Sequence, residues 1–375
     1  MSNIIVLGGG MVGSAMAIDL ASQHNVTLAD IDLQRLKKTA EKESSLSTIS
    51  LDVTNIKELK STISPYDLVL CAVPGFLGFS TLKAIIEAGK NVIDISFFPE
   101  DSLLLNELAL EKGVCAIVDI GVAPGIDNLI LGRYNEEMEI HSFECYVGGL
   151  PKVKKWPFSY KAPFSPIDVI EEYTRPARYV ENGQLVIKEA LSNVELMEFD
   201  KVGSLEAFNS DGLRSLIQTM SHIPNMIEKT LRYPGHSEYI RVLKESGFFS
   251  ETPINIKGTE VIPLDFTSKI LFNEWYLGDE EEITVMRVVL KGKKSGKDYS
   301  VLYDLYDEYD KKTGVASMSR TTGYTATAAV NMFLKGLWNK KGVFPPELIG
   351  KNKNCFDFII DYLKERNVHY KVQVN

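Results

Sequence analysis

Residues 1–14 of the chain, MSNIIVLGGGMVGS, contain the pattern that decides the fold of its first part. Asn3 to Leu7 is a short apolar run rich in Ile and Val, which is typical of a buried strand. It leads directly into the glycine-rich segment Gly8–Gly13, and residues 14–18 then continue as a helix. Strand, tight turn and helix form the context in which G-x-G-x-x-G indicates a dinucleotide-binding site.

Each glycine of this pattern has a physical role. Gly8 permits the sharp turn, Gly10 lets a pyrophosphate approach the backbone, and Gly13 lets the helix pack close to the strand. Met11 and Val12 belong to the same segment, next to the helix N-terminus, where free N–H groups and the positive end of the helix dipole face the phosphates. A plain strand–helix–strand unit without a cofactor is the competing interpretation.

A carboxylate after the second strand adds to the fingerprint. Residues 26–29 form that strand, and Asp30 follows it about 20 residues beyond the first glycine, where a carboxylate binds the adenosine ribose. Because a carboxylate repels a 2′-phosphate, the sequence favours NAD over NADP, and the nearby Arg35 would weaken that preference. Asp32 is an alternative ribose ligand, but its position suits the N-cap of the next helix better.

Strand and helix patterns continue to alternate up to about residue 120, which predicts an α/β fold with a doubly wound parallel sheet of the Rossmann type. Asp52 follows the third strand, where it either holds the adenine edge or caps a helix that starts near Asn55. The fourth strand, residues 67–72, ends at Ala72, and Val73 and Pro74 follow it. The carboxyl end of that strand should face the nicotinamide half of the cofactor.

The pattern changes around residue 125 and predicts a second domain. Longer, paired strands at 177–188 and 282–306 indicate an α+β domain with a mostly antiparallel sheet. We therefore expect residues 1–125 and 325–375 to form the NAD-binding domain, with the C-terminal tail packed on it. Residues 126–324 then form the substrate-binding domain, through which a homodimer or larger homo-oligomer would assemble.

Composition excludes several classes of function. A net charge of −9 argues against a nucleic-acid partner. No apolar run approaches the roughly 18 residues that a membrane span needs, and a strand at the N-terminus leaves no room for a signal peptide. The four cysteines and five histidines are scattered, which argues against disulfides and a metal site. These features predict a cytoplasmic protein with a small-molecule substrate.

Dense motifs mark the expected cleft. Gly121–Asn128 and Tyr146–Pro151 were interpreted as turns that bring backbone N–H groups near a ligand. Further motifs are WPFSYK (156–161), EYTRP (172–176), FNSDGLR (208–214), KTLRYPGH (229–236) and SRTTGY (319–324). With these motifs the chain resembles the saccharopine dehydrogenase family over nearly its whole length, and within it the lysine 6-dehydrogenase branch most closely.

The resemblance implies NAD(P)-dependent chemistry at a carbon–nitrogen bond. In the lysine branch this is oxidative deamination of the ε-amine of L-lysine to 2-aminoadipate 6-semialdehyde with release of ammonia. Saccharopine reductases of the family usually carry Asp before the Pro-Gly of the first turn and Cys before the Gly-Gly of the second. Here those positions are Ala123 and Val147, which argues for the smaller substrate lysine.

Three residues are candidates for the base that removes a proton from the ε-ammonium. His236 suits this role by its ordinary pKa, or it only closes a Pro-Gly turn. Lys161 would need burial to lower its pKa, and is otherwise a surface lysine. Asp211 holds the substrate ammonium, or caps a helix over Leu213–Met220.

The substrate carboxylate needs a cation, preferably a planar, two-pronged one. Arg232 is the first candidate because it lies between apolar neighbours and a Pro-Gly turn, and Arg175 and Arg320 follow it. Trp156 either walls the pocket or belongs to the core. The remaining predicted substrate-binding residues are Gly148, Gly149, Tyr160 and Ala123.

Two other functions stay open. One is a saccharopine or carboxynorspermidine dehydrogenase, which forms or cleaves a secondary amine and would need cations for the additional carboxylates. The other is an NAD-sensing regulator without catalysis, which predicts an occluded second cleft.

Overall fold

The computed structural model describes residues 1–164, 166–278 and 280–375, and they form two packed α/β units. The first unit is a seven-stranded parallel sheet. Its spatial order is β3-β2-β1-β4-β5-β6-β17, so the order reverses between β1 and β4. Its strands are β1 (Asn3–Leu7), β2 (Asn25–Asp30), β3 (Ser47–Ser50), β4 (Leu68–Cys71), β5 (Val92–Asp94), β6 (Cys115–Ile117) and β17 (Gly342–Phe344).

Helices connect these strands and cover both faces of the sheet, as the alternating pattern predicts. They are α1 (Met11–Ala21), α2 (Leu33–Lys42), α3 (Ile56–Ile63), α4 (Gly75–Glu87), a 3₁₀ turn (Ser102–Leu105), α5 (Asn106–Lys112) and α6 (Ile126–Tyr134). The predicted doubly wound sheet of the Rossmann type is therefore confirmed. Its dinucleotide-binding crevice lies where the strand order reverses, outside the carboxyl ends of β1 and β4.

The second unit is a nine-stranded mixed sheet. Its main path is β10-β11-β12-β7-β15-β16-β18, with β8 attached to β12 and β9 to β8. Within this second sheet, β7 and β12 form the only parallel pair among the described pairings. The expected mostly antiparallel sheet is therefore confirmed. The strands are β7 (Glu139–Pro151), β8 (Ala177–Glu181), β9 (Gln184–Lys188), β10 (Glu195–Phe199), β11 (Gly203–Asn209), β12 (Asn225–Arg232), β15 (Glu282–Lys294), β16 (Lys297–Glu308) and β18 (Tyr370–Val374).

The remaining elements surround this sheet or join it to the first unit. They are α7 (Pro166–Thr174), α8 (Leu216–Thr219), α9 (His236–Glu245), a hairpin of β13 (Ile254–Ile256) and β14 (Thr259–Val261), α10 (Pro263–Glu274), α11 (Ser317–Leu334), α12 (Pro346–Gly350) and α13 (Lys353–Glu365). No helix among the described residues combines the length and the apolar character needed to cross a membrane.

The C-terminal tail divides between the two sheets. β17 extends the first sheet beside β6, and α13 reaches α1 because Tyr362 and Arg366 both bind the Asp19 carboxylate at 2.7 Å. β18 instead pairs with β16 of the second sheet. The expectation that the whole tail packs on the nucleotide domain is therefore wrong for its last strand.

Candidate active site at the domain interface

The glycine-rich turn between β1 and α1 has the tight geometry that its sequence predicts. Gly8 has φ +102°, and a Cβ there would lie 2.4 Å from the carbonyl oxygen of Ala72. A Cβ on Gly13 would lie 1.9 Å from the carbonyl oxygen of Gly8. Both positions therefore exclude larger residues because the protein itself packs against them.

Gly10 differs, because a Cβ there would have no atom of the protein within 4 Å. Its backbone is extended, with φ −67° and ψ −172°, and it precedes the first turn of α1. The N–H groups of Met11 and Val12 belong to that turn and have no acceptor within the helix. An open backbone beside free N–H groups is the arrangement that a pyrophosphate requires, so the turn fits a dinucleotide.

Asp30 lies against this turn. Its Oδ2 accepts a hydrogen bond from the N–H of Gly9 at 2.5 Å, and its Oδ1 accepts one from the N–H of Asp32 at 2.7 Å. Asp32 caps α2 by accepting from the N–H groups of Gln34 and Arg35, as expected. The Arg35 side chain is 58% exposed and lies 4.0 Å from Asp30. The carboxylate nearest the glycine turn is thus held in place by backbone N–H groups.

Asp52 is occupied locally. Its Oδ1 accepts hydrogen bonds from the N–H and hydroxyl of Thr54, which lower its pKa. The N-cap of α3 is Asn55, not Asp52. Of the two alternatives for Asp52, the helix cap is therefore excluded, and the contact with the adenine edge stays a prediction.

The segment Ala72-Val73-Pro74 joins β4 to α4 beside the glycine turn, where the N–H of Ala72 donates to the carbonyl of Leu7 at 2.8 Å. The second unit reaches this segment at Gly75. A Cβ on Gly75 would lie 2.3 Å from the carbonyl oxygen of Phe97 and 3.0 Å from Oδ1 of Asp168 on α7. A buried carboxylate of the second unit is therefore adjacent to the predicted nicotinamide side of the crevice.

Helix α7 and the residue that follows it carry further charges to the interface. The Arg175 guanidinium forms an ion pair with Glu171 and lies 5.2 Å from the ring centroid of Phe97. Burial raises the pKa of Glu171, and the charge of Arg175 opposes that shift. Arg175 was predicted only as an alternative to Arg232, and Asp168 and Glu171 were not predicted as site residues. Asp168, Glu171 and Arg175 are spaced by three and four residues, which places them on one helix face. This spacing could have indicated them from the sequence.

Arg214 joins the two units and was also missed as a site residue. It is buried, donates from Nε to Oδ2 of Asp119 at 2.8 Å and from Nη1 to the carbonyl of Phe98 at 2.7 Å. Its guanidinium lies 4.9 Å from the Phe97 ring centroid. Phe97 is thus contacted by two arginines of the second unit.

Arg232, the first candidate for the substrate carboxylate, has internal partners instead. It is 2% exposed and donates from Nη2 to Glu172 at 2.5 Å and from Nε to the hydroxyl of Tyr173 at 3.1 Å. Its guanidinium lies over the ring of Tyr160 at 4.4 Å, and that ring is also buried. The prediction that Arg232 would be buried is correct, but its role is to neutralise Glu172, and Tyr160 packs with it.

His236 is unsuited to act as the base. The Tyr173 hydroxyl accepts a hydrogen bond from Arg232, so it donates its own proton to Nε2 of His236 at 2.9 Å. Nδ1 of His236 donates to the carbonyl oxygen of Phe158 at 3.0 Å. Burial, with the nearby charge of Arg232, lowers the pKa of His236 to about 3. Both ring nitrogens are therefore engaged in a neutral imidazole that has no lone pair for a substrate proton.

The other two candidates for the base are also bound elsewhere. Lys161 donates from Nζ to the carbonyl of Glu274 at 2.5 Å on a partly exposed surface. Asp211 accepts two hydrogen bonds from the Arg178 guanidinium, at 2.9 and 2.8 Å. No helix begins at Asp211, since α8 covers only Leu216–Thr219, so the alternative prediction of a helix cap is wrong as well.

Arg320 is the third arginine with internal partners. It lies inside α11, where it binds the carboxylates of Asp307 and Asp310 and the carbonyl groups of Arg366 and Asn367. It fixes the C-terminal segment against β16. The SRTTGY motif, predicted to mark the cleft, is part of α11, and its Thr322 lies beside Gly121 of the loop after β6.

Gly148 and Gly149 lie within the regular strand β7, paired with β15, and do not form the predicted turn. A Cβ on Gly148 would lie 2.5 Å from the carbonyl of Leu231, and one on Gly149 would lie 2.5 Å from Pro163. These glycines permit close packing of protein on protein. Trp156 is 85% exposed, so it neither walls a pocket nor belongs to the core.

Ala123 stands in the loop that follows β6, between the two units, and is partly buried. In the same loop a Cβ on Gly121 would lie 3.2 Å from the side chain of Thr322 in α11. The loop therefore borders the interface, as the prediction for Ala123 requires.

One group of potential metal ligands occurs among the described residues. Atoms of Asp127, Cys145 and Glu228 lie within 4.8 Å of one another, and all three residues are buried. Burial raises the pKa of Asp127 to about 7 and that of Glu228 well above its usual range. The same cause raises the pKa of the Cys145 thiol. The shifts favour protonated groups that share protons with one another.

Comparisons with known proteins agree with this architecture. The Saccharopine dehydrogenase NADP binding domain model matches residues 4–117, and the Saccharopine dehydrogenase C-terminal domain model matches residues 121–368. Saccharopine dehydrogenase [NADP(+), L-glutamate-forming] of Schizosaccharomyces pombe is 29% identical over 336 residues, which cover 83% of this chain and 70% of that protein. Carboxyaminopropylagmatine dehydrogenase of Synechocystis is 22% identical over 92% of both chains.

The fold is also that of a solved relative. Apo saccharopine dehydrogenase (L-Glu forming) from Saccharomyces cerevisiae superposes with a TM-score of 0.80 at 21% identity, with full coverage of both chains. This likeness shows that the two chains share a fold. From the two family-model matches we conclude that this chain belongs to the saccharopine dehydrogenase family.

Proposed function

We propose that this chain is an NAD-dependent oxidoreductase that oxidises the ε-amine of L-lysine to 2-aminoadipate 6-semialdehyde and releases ammonia. The family, the open glycine turn and the charged face of α7 support an oxidoreductase that acts on a carbon–nitrogen bond. The ε-ammonium loses one proton to a base and the Cε–H bond loses a hydride to the oxidised nicotinamide, which gives a protonated imine. Water then hydrolyses the imine to the aldehyde and ammonia.

The observation that carries the choice of lysine is the state of the arginines near the interface. Arg214, Arg232 and Arg320 each bind an internal carboxylate: Asp119, Glu172 and Asp307 respectively. Arg175 also binds an internal carboxylate, that of Glu171, but it keeps a buried Nη1 without a hydrogen-bond partner among the described residues. The unoccupied Nη1 of Arg175 suits the single carboxylate of lysine, whereas saccharopine has three carboxylates.

The residues of this chain divide the work as follows. NAD, when bound, accepts the hydride from the substrate carbon. The backbone at Gly10 and the N-terminus of α1 bind its pyrophosphate, and Asp30 binds the adenosine ribose. Asp168, buried beside Gly75, is placed to attract the ε-ammonium and to receive its proton.

The preference for NAD is part of the proposal. Oδ2 of Asp30 accepts a hydrogen bond from the backbone N of Gly9 at 2.5 Å, which holds the carboxylate beside the glycine turn. A carboxylate at this position binds the ribose of NAD, whereas the 2′-phosphate of NADP would need a cation there. Arg35 is exposed and paired with Asp32 at 3.4 Å. The relative from Schizosaccharomyces pombe is described as NADP-dependent, so the assay must include both cofactors.

A second candidate is a dehydrogenase that acts on a secondary amine, as the names of the relatives from Schizosaccharomyces pombe and Synechocystis describe. Their alignments cover most of this chain, which favours this candidate over a regulator without catalysis. Its substrate would be saccharopine, carboxynorspermidine or carboxyaminopropylagmatine.

The test is formation of NADH or NADPH, followed at 340 nm, with L-lysine and with each of these three secondary amines. Reduction of NAD with L-lysine and release of an equal amount of ammonia would support the proposal. Reaction with a secondary amine alone would assign the chain to the second candidate. Binding of NAD without reaction of any amine would favour a regulator.

A further inference from the structure

The side of α7 that faces the first unit carries charges of both signs. Asp168, Glu171 and Arg175 follow one another at intervals of three and four residues, so their side chains leave the same side of the segment. Asp168 approaches Gly75, which follows β4, and Arg175 approaches Phe97, which follows β5. This charged face therefore borders the carboxyl edge of the parallel sheet, where ligands of such folds bind.

The Arg175 guanidinium is only partly satisfied by the protein. Its Nη2 donates to Oε2 of Glu171, while its Nη1 is buried and has no hydrogen-bond partner among the described residues. A buried charged donor without an acceptor is costly. A carboxylate that bound at Nη1 would remove this cost, and a planar guanidinium is suited to it.

Glu171 provides the opposite charge beside this donor. Its side chain is 28% exposed, and its ion pair with Arg175 uses Oε2. Burial raises its pKa, with Glu100 adding to the shift, whereas Arg175 and Arg214 oppose it. An ammonium group next to Glu171 would further stabilise its charged form. The pair thus offers a cation and an anion side by side.

We propose that Arg175 binds the α-carboxylate and Glu171 the α-ammonium of an amino-acid substrate. This inference rests on the proposed function, since it requires a substrate that is an α-amino acid. The pair matches the two opposite charges that every α-amino acid carries at one end. It leaves the other end of the substrate, with the reacting amine, to reach the nicotinamide side of the crevice near Asp168.

Three amines separate the two contacts. L-Lysine carries both groups, 1,5-diaminopentane lacks the carboxylate, and 6-aminohexanoate lacks the α-amine. We expect Arg175→Gln to raise KM roughly ten- to hundredfold for L-lysine and 6-aminohexanoate, with 1,5-diaminopentane unchanged. We expect Glu171→Gln to raise KM for L-lysine and 1,5-diaminopentane, with 6-aminohexanoate unchanged.

Arg287→Gln is the matched control. Arg287 forms an ion pair with Asp304 at 2.7 Å and stacks on Phe199 at 4.5 Å, and its side chain is 21% exposed. It therefore repeats the environment of Arg175 within the second sheet, away from the crevice. Its loss should leave all three KM values unchanged, and the thermal unfolding of each variant shows whether it is folded.

Calorimetric binding of L-lysine to the NADH complex separates this inference from the proposed function. If the wild-type protein binds L-lysine without oxidising it and Arg175→Gln abolishes binding, the inference holds and the proposed reaction fails. If Arg175→Gln raises KM equally for L-lysine and 1,5-diaminopentane, or leaves L-lysine unaffected, the inference is wrong. A wild-type protein that neither binds nor oxidises any of the three amines contradicts both.

Discussion

The change Gly10→Ala tests the cofactor site without disturbing the fold. Alanine adopts the backbone conformation of Gly10 without strain, and the added Cβ meets no protein atom within 4 Å. The structural cost is then the weaker N-cap preference of alanine, at most about 1 kcal/mol, which lowers Tm by no more than about 4 °C. The methyl group occupies the space through which the pyrophosphate approaches. We therefore expect Kd for NADH to rise at least about tenfold, which corresponds to about 1.4 kcal/mol.

The assay is a fluorescence titration of NADH, with thermal unfolding measured on the same samples. Gly13→Ala is the contrasting variant, because its Cβ would lie 1.9 Å from the carbonyl oxygen of Gly8. A clash with backbone forces α1 away from β1, so this variant should lose stability as well as affinity. Unchanged NADH affinity in a folded Gly10→Ala protein would refute the assignment of the turn to the pyrophosphate.

Three further predictions concern carboxylates. Asp30→Ala should reduce the preference for NAD over NADP at least about tenfold in kcat/KM, because the repelling charge is lost. Asp32→Ala, which removes the cap of α2 and the ion pair with Arg35, should reduce this preference less, and a larger effect of Asp32→Ala would assign the ribose to Asp32. Asp168→Asn should lower kcat at least about a hundredfold because the group that receives the proton is lost, and a change confined to KM would reject that role. Asp127 has a folded-state pKa of about 7, above the value of about 3.9 in an unfolded chain, so its ionisation costs stability progressively from about pH 4 up to about pH 7. In Asp127→Asn the free energy of unfolding should fall less steeply with pH over this range than in the wild type, by up to about 1.4 kcal/mol per pH unit. Urea unfolding at several pH values measures both slopes, and identical slopes of free energy against pH would contradict the raised pKa of Asp127.

The local patterns that fix backbone structure were readable from the sequence. The first sheet follows from alternating strand and helix signals, and α2 begins directly after Asp32 because this aspartate caps it, as predicted. The hairpins at 177–188 and 282–308 follow from their alternation and turn residues. In each case the residues that decide the structure are neighbours in the sequence.

The roles of buried charges were not readable, because they depend on partners far away in the chain. Arg232 is buried, as predicted, but its partner Glu172 is 60 residues away. Gly148 was interpreted as a turn residue, although it accommodates the backbone of Leu231 in the adjacent parallel strand. A sequence pattern indicates that such a residue has close neighbours, but not whether they are protein or ligand.

The adjacent residues Glu171 and Glu172 show how one helix separates binding from structure. Consecutive residues of an α-helix point about 100° apart. Glu172 therefore turns into the second unit and neutralises Arg232, which orders Tyr173 and, through it, His236. Glu171 turns toward the first unit and leaves Arg175 with a free donor beside Phe97. Because Glu172 already neutralises Arg232, the donor that remains beside Phe97 for the proposed binding of an amino-acid carboxylate is that of Arg175.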